Sequence, residues 1–303
     1  MLANPNRECQ MYDISKRTEV EEFDFDSLIP ECDELTDVEL EAVAAAEKKQ
    51  KAGQGTDAMP MEIYNGLLKY FLDKRDFRSV LWITLQANTG LRYVDISRFR
   101  KIDLLNEHNK FRESILETER KTGKKRTNFI NDAIKMAALM YLWDNPHIKP
   151  LDYLITPLKN ARRKGYITDE NGNKIVKPLS RQQASLVMRN ALVDGLGVAI
   201  KNDSRTKESG DAYLKLATHS LRKAYSAAVI NQYVNMFDSD LAYAHAAAAE
   251  QLQYDLNHSS RAMTYHYIGD YVETKRKINM TMNLGIEVLR PYFDEEKKKY
   301  LST

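Results

Sequence analysis

Cysteine is nearly missing from this chain: there are two in 303 residues, Cys9 and Cys32, with no histidine pattern to match them. That excludes a disulfide framework and a cysteine-based zinc site, and both thiols are expected to be ordinary and reduced. Long apolar runs are missing as well. Nothing approaches the roughly 20 apolar residues that span a bilayer, and the opening MLANPNRECQ lacks the charged-then-apolar order of a secretory signal. No internal repeat is visible. The expectation is a cytoplasmic protein with no membrane association. With 43% hydrophobic and 29% charged residues, it has enough apolar matter for a real core and is neither a fibre nor a disordered tail.

Net charge is also small, +2, but the total conceals an asymmetry. Residues 1–50 hold 14 Asp and Glu against 5 Lys and Arg, a balance of −9, which leaves +11 on residues 51–303. A basic body of that size suits a polyanion, nucleic acid being the usual one. Charge alone equally admits a solvated, lysine-rich surface.

The acidic head should hold one helix, begun by a capping box of Thr36 and Glu39 and stopped by Gly53, followed by a KAGQGTD linker. From Pro60 the apolar period becomes helical. MEIYNGLLKYFL and FRSVLWITLQA are two helices parted by DKRD, NTG closes the second, and LRYVDISRF forms a short third. KIDLL is read as the opening of a strand. SILETERKTGKKRTNFI has β-tolerant arms about a Gly-containing turn, and GYITDENGNKIVKPL forms a second small hairpin about Asn171 and Gly172. Residues 131–144 return to helix, and Ser180 with Gln183 caps a helix through RQQASLVMRNALV. KNDSRTKESGD is a polar loop. HSLRKAYSAAVINQY, an Ala-rich stretch near 241–252 and LRPYFDEEKKKY complete a chain that is α+β and mostly α-helical, with a small antiparallel sheet. Its domain division is expected at 1–55, an acidic segment and linker, and 56–303, a compact domain with a C-terminal helical tail.

Four separated stretches carry unusual chemistry: NTGLRYVD (88–95), ERKTGKK (119–125), THSLRKAY (218–225), and LNHSS (256–260) followed by Tyr267. Each is weak alone, but in this order they resemble the tyrosine recombinase, or phage integrase, family, and the ordered set is specific. The resemblance covers roughly residues 56–285 and not the head. LNHSS with TYHYIG looks most like integrase-type proteins of Gram-positive bacteria and their phages.

Breaking a phosphodiester without a metal needs cations on the non-bridging oxygens, a nucleophile, and an acid for the leaving 5′ oxygen. The resemblance assigns those tasks. Arg92 and Arg222 become the phosphate clamp, for which a planar, permanently charged fork is suited. Asp95 is supporting. His219, three residues before Arg222 on a helix and so on its face, assists proton transfer. His258 hydrogen-bonds the scissile phosphate, preceded by Asn257 where the family commonly has Gly; Asn also tolerates a left-handed backbone. Lys121 is the expected general acid, with Lys124 and Lys125 as competitors because sequence does not fix the hairpin register. Tyr267, nine residues after His258, is the expected nucleophile and Tyr265, at seven, the competitor; His266 and Tyr265 otherwise pack. A phosphotyrosyl link conserves bond energy, so neither a cofactor nor a metal is implied.

The implied partners are double-stranded DNA, further copies of the chain as a homo-oligomer (a tetramer on paired sites), and an accessory DNA-bending or directionality protein. The implied setting is the nucleoid-associated cytoplasm of a bacterial or phage-infected host cell. Two departures stand out. The family usually has a helical core-binding domain before the catalytic one, whereas here fewer than sixty acidic residues precede it, a segment that suits autoinhibition or a plain surface tail. The interval from His219 to His258 is also long, with His245 read as a surface residue. LGIEVLRPYF offers apolar residues for docking on a neighbouring protomer. A non-catalytic DNA-binding phage regulator on the same fold is the alternative, and a type IB topoisomerase fits LNHSS less well.

Overall fold

The computed structural model describes residues 56–118, 125–157, 166–168, 172, 174–201, 203, 205, 214–236, 247, 248, 251, 252, 280 and 282–302. Gly55–Thr303 forms one compact unit. The expected capping box at Thr36 and Glu39 and the Ala-rich helix after it lie outside the described residues. Among the described residues no helix is long and apolar enough to cross a membrane.

Helix α1 (Met61–Asp73) buries Tyr64, Leu67, Leu68, Phe71 and Leu72, the i, i+3, i+4, i+7, i+8 stripe of a helix with one wet face. Helix α2 (Phe77–Thr89) starts at Asp76, whose carboxylate accepts the Ser79 N–H at 3.1 Å. All thirteen of its residues are buried. This suits FRSVLWITLQANT, which has no charged residue after Arg78: a helix without a polar face belongs in the middle. Each large side chain it hides, such as Trp82, Leu81 or Ile83, contributes about 1.5–3 kcal/mol.

Beyond α2, Tyr93–Ile96 forms a one-turn helix, α3, as expected. KIDLL departs from expectation. Lys101–Leu104 is a helical turn, α4, because the Asp103 carboxylate accepts the Arg100 N–H at 2.7 Å and closes a capping box, leaving Leu105 alone to bridge to Phe111. Both hairpins are present and antiparallel. β1 (Ser114–Thr118) pairs with β2 (Lys125–Phe129), Thr118 opposite Lys125, and β3 (Tyr166–Thr168) pairs with β4 (Lys174–Val176).

Helix α5 (Asp132–Asp144) is capped by Asn131, whose Oδ1 accepts the Ile134 N–H at 3.1 Å. Helix α6 (Arg181–Asn190) opens on the expected box: Ser180 Oγ accepts the Gln183 N–H at 3.2 Å, and Gln183 Oε1 accepts the Ser180 N–H at 3.0 Å. Helices α7 (Thr218–Met236) and α8 (Ile286–Leu301) follow. Helix α2 lies at the centre against α1, α5 and α7, and α8 packs on α1 and α5. The molecule is therefore α+β, mostly helical, with small antiparallel hairpins. Of the Ala-rich stretch, Ala247, Ala248, Gln251 and Leu252 are described and helical; Ala248 and Leu252 pack near Tyr225, Val229 and Tyr233 of α7. His245 lies outside the described residues.

Candidate active site

The site is built on the C-terminal end of α2. That helix needs a left-handed residue to turn out of its axis, and Gly90 supplies it at φ +65°, its N–H donating to Gln86 O at 3.0 Å. A second constraint acts at the same atom. A Cβ on Gly90 would stand 2.5 Å from the ring of Tyr225, so glycine is required by space as well as by backbone angle. The chain then extends through Arg92 (φ −71°, ψ 146°) into α3, where the Asp95 N–H donates to Arg92 O at 3.0 Å and Asp95 is itself buried.

Helix α7 brings the second half. Arg222 is only 2% exposed, and its Nη1 donates to Gly90 O at 2.8 Å across 132 positions of sequence. The turn that presents Arg92 therefore also holds Arg222. His219, one helical turn earlier, reaches the surface. Its pKa lies below the ordinary histidine value, first through lost hydration, then through the positive charges of Arg222, Lys223, Arg92 and Arg181. An imidazole whose neutral form is favoured can accept a proton, and the positive field of these four side chains favours a developing negative group.

The structure thus gathers Arg92, His219 and Arg222. Lys121, His258 and Tyr267 lie outside the described residues, as do Lys124, Tyr265, His266 and Asn257. Of the competitors for general acid, Lys125 is described. It begins β2 with its side chain exposed, whereas Arg126 and Asn128 alternate inward and are buried.

Two contributors escape a reading of motifs alone. Lys223, next to Arg222, adds charge at His219 while its Nζ donates to Thr56 O. Arg181, the first residue of α6, adds more, and with Gln182, Ser185, Leu186 and Arg189 it lines an open groove along one face of that helix. The available signal was the spacing i, i+1, i+4, i+5, i+8 of those five residues, a single helical face.

What the fold and site define is a mostly helical α+β protein in which a histidine and an arginine at the start of α7 meet the turn that ends its central helix, α2. No family model matches the chain, and no solved structure matches it. Among curated proteins, it is 26% identical over 209 residues to "Probable integrase/recombinase YoeC" of Bacillus subtilis (strain 168), an alignment covering 69% of this chain and 87% of that protein.

Proposed function

We propose that the chain is a site-specific DNA recombinase that integrates, excises or resolves mobile DNA through a 3′-phosphotyrosyl intermediate. The observation that carries this reading is the meeting of Arg92, His219 and Arg222 from two distant parts of the sequence around one cationic spot. Similarity to a protein named as an integrase/recombinase over most of that protein's length supports it from a separate direction. In this reading residues 56–303 are the catalytic domain and residues 1–55 an acidic appendage.

The chemistry follows from the side chains. Arg92 and Arg222 hold the non-bridging oxygens of the scissile phosphate and offset the charge that builds on them in the transition state. Tyr267 Oη attacks phosphorus as His219, neutral beforehand, assists removal of the phenol proton. The bond to the 5′ oxygen breaks, and that oxygen takes a proton from Lys121, while His258 hydrogen-bonds the phosphate. A 5′ hydroxyl from the partner duplex later reverses the step, so the number of phosphodiesters is unchanged. Paired sites require a tetramer, and the exposed arginines of α6, Arg181 and Arg189, supply positive charge for double-stranded DNA beside the phosphate clamp. An accessory bending or directionality protein sets the geometry of the sites, and the work is done in the nucleoid of a bacterial or phage-infected cell.

The test is covalent capture. Wild-type protein incubated with duplex DNA from either side of its own gene should give an SDS-resistant protein–DNA adduct that Tyr267→Phe does not form. An adduct that persists in Tyr267→Phe moves the nucleophile to Tyr265. Retarded but never covalent DNA points to a non-catalytic DNA-binding regulator.

A further inference from the structure

Asn88 is fully buried, two residues before Gly90 and four before Arg92. Its amide uses every hydrogen-bonding position it has. Nδ2 donates to Thr84 O at 3.0 Å and to Leu284 O at 3.2 Å; Oδ1 accepts from the Leu284 N–H at 2.8 Å and from Asn131 Nδ2 at 2.8 Å. Two donors and two acceptors exhaust a carboxamide. Asparagine is the side chain that fits this pattern: aspartate lacks the donors, and glutamine is a methylene longer in a site with no space for it.

Both backbone groups of Leu284 are thus taken by one side chain, in the manner of a β-bridge partner. Around it the same strip of chain is held again. Tyr64 Oη donates to Leu284 O at 3.2 Å, and Asn283 Nδ2 donates to Met280 O at 2.8 Å while its Oδ1 accepts the Ala133 N–H at 3.1 Å. Gly285, at φ +80°, lies where a Cβ would stand 2.4 Å from Leu68. Residues 283–285 are therefore pinned to α1, α2 and α5 at once. In sequence this is where the chain returns from residue 267, seventeen positions earlier.

We infer that Asn88 is a positioning residue: it locks the return of the chain after Tyr267 to the same helix end that presents Arg92 and, through Gly90 O, Arg222. This rests on the recombinase reading. The clamp fixes, relative to the arginines, the C-terminal anchor of the stretch that carries the nucleophile, and it touches no substrate itself. Its loss should slow the chemical step more than DNA binding, because binding depends on charge and the chemical step on register.

Asn88→Ala should be compared with Asn131→Ala. The second variant removes one of the bonds to Asn88 and the cap of α5 but leaves both bonds between Asn88 and Leu284, so it serves as the control for lost stability. Four quantities are read: adduct formation on gene-flanking duplex at saturating protein, affinity for that duplex, hydrogen exchange of the Leu284 amide, and the thermal midpoint. Asn88→Ala is expected to slow adduct formation roughly ten-fold or more with affinity changed by about two-fold or less, and to accelerate exchange at Leu284. Asn131→Ala is expected to keep adduct formation within about three-fold of wild type. Equal losses in the two variants, or loss in proportion to thermal midpoint, overturn the positioning role while wild-type adduct sustains the recombinase reading. Absence of adduct from the wild type overturns both, and exchange at Leu284 still reports whether the clamp itself exists.

Discussion

At the scale of single residues, His219 carries a measurable electrostatic signature. Its folded-state pKa is depressed, so between that value and the ordinary value of 6.5 the unfolded chain binds a proton that the folded chain does not. The associated stability is complete above the unfolded value and is lost as pH falls through the folded one. Replacing the imidazole by a neutral amide, His219→Gln, removes this dependence. Urea unfolding at about pH 7.5 and about pH 5.5 should show a smaller acid loss in His219→Gln than in wild type. An identical loss in the two proteins would mean that neither lost hydration nor the neighbouring cations depress the pKa of this ring. In the proposed mechanism the same depression would keep the ring neutral and able to accept a proton, and a phosphate bound by its cationic neighbours would raise its basicity.

At the scale of elements, the turn from α2 into α3 is the joint on which the site depends. Gly90→Ala places a β-carbon at φ +65° and 2.5 Å from the Tyr225 ring. The backbone alone costs about 1–3 kcal/mol, and the crowding a comparable amount. Chemical denaturation should show the sum in Gly90→Ala and recovery of only the crowding part in Gly90→Ala combined with Tyr225→Leu. Full recovery in the double variant would show that the left-handed backbone is not the constraint. How legible each element was in the sequence follows from how local its cause is. The Ser180–Gln183 box, the pairing of β3 with β4 and the Gly90 stop each have local causes, and the sequence signals them. KIDLL, expected to open a strand, turns helical instead because Asp103 captures the Arg100 N–H. Arg92, His219 and Arg222 could be named from motif order, but the burial of Arg222 and its bond to Gly90 O join residues 132 apart. The role of Asn88 rests on Leu284, 196 positions away, and no local pattern signals it.

At the scale of the whole molecule, α8 is fastened to its own chain: Leu289 is fully buried, Val288, Tyr292 and Phe293 are half-buried against the core, and Trp143 of α5 stacks on Phe293 and Tyr300 at 5.3 and 5.1 Å. Arg75 grips Glu296 with two bonds, at 2.5 and 2.9 Å, which holds that carboxyl below its usual pKa. Charge is the remaining property of the whole. Removing residues 1–50 takes the chain from +2 to +11, and a field of that size acts on a polyanion at a distance, whatever the removed segment touches. The shortened protein should bind arbitrary duplex DNA more tightly than the full chain at about 50 mM salt, and the difference should fade towards about 1 M, where the Debye length is about 3 Å. If affinity is unchanged at low salt, the negative charge of the head lies too far from the basic surface to matter, and autoinhibition by the head is discarded with it. If instead the gain survives high salt, the head acts by a contact that salt does not screen, and its apolar residues, not its carboxylates, are the ones to replace next.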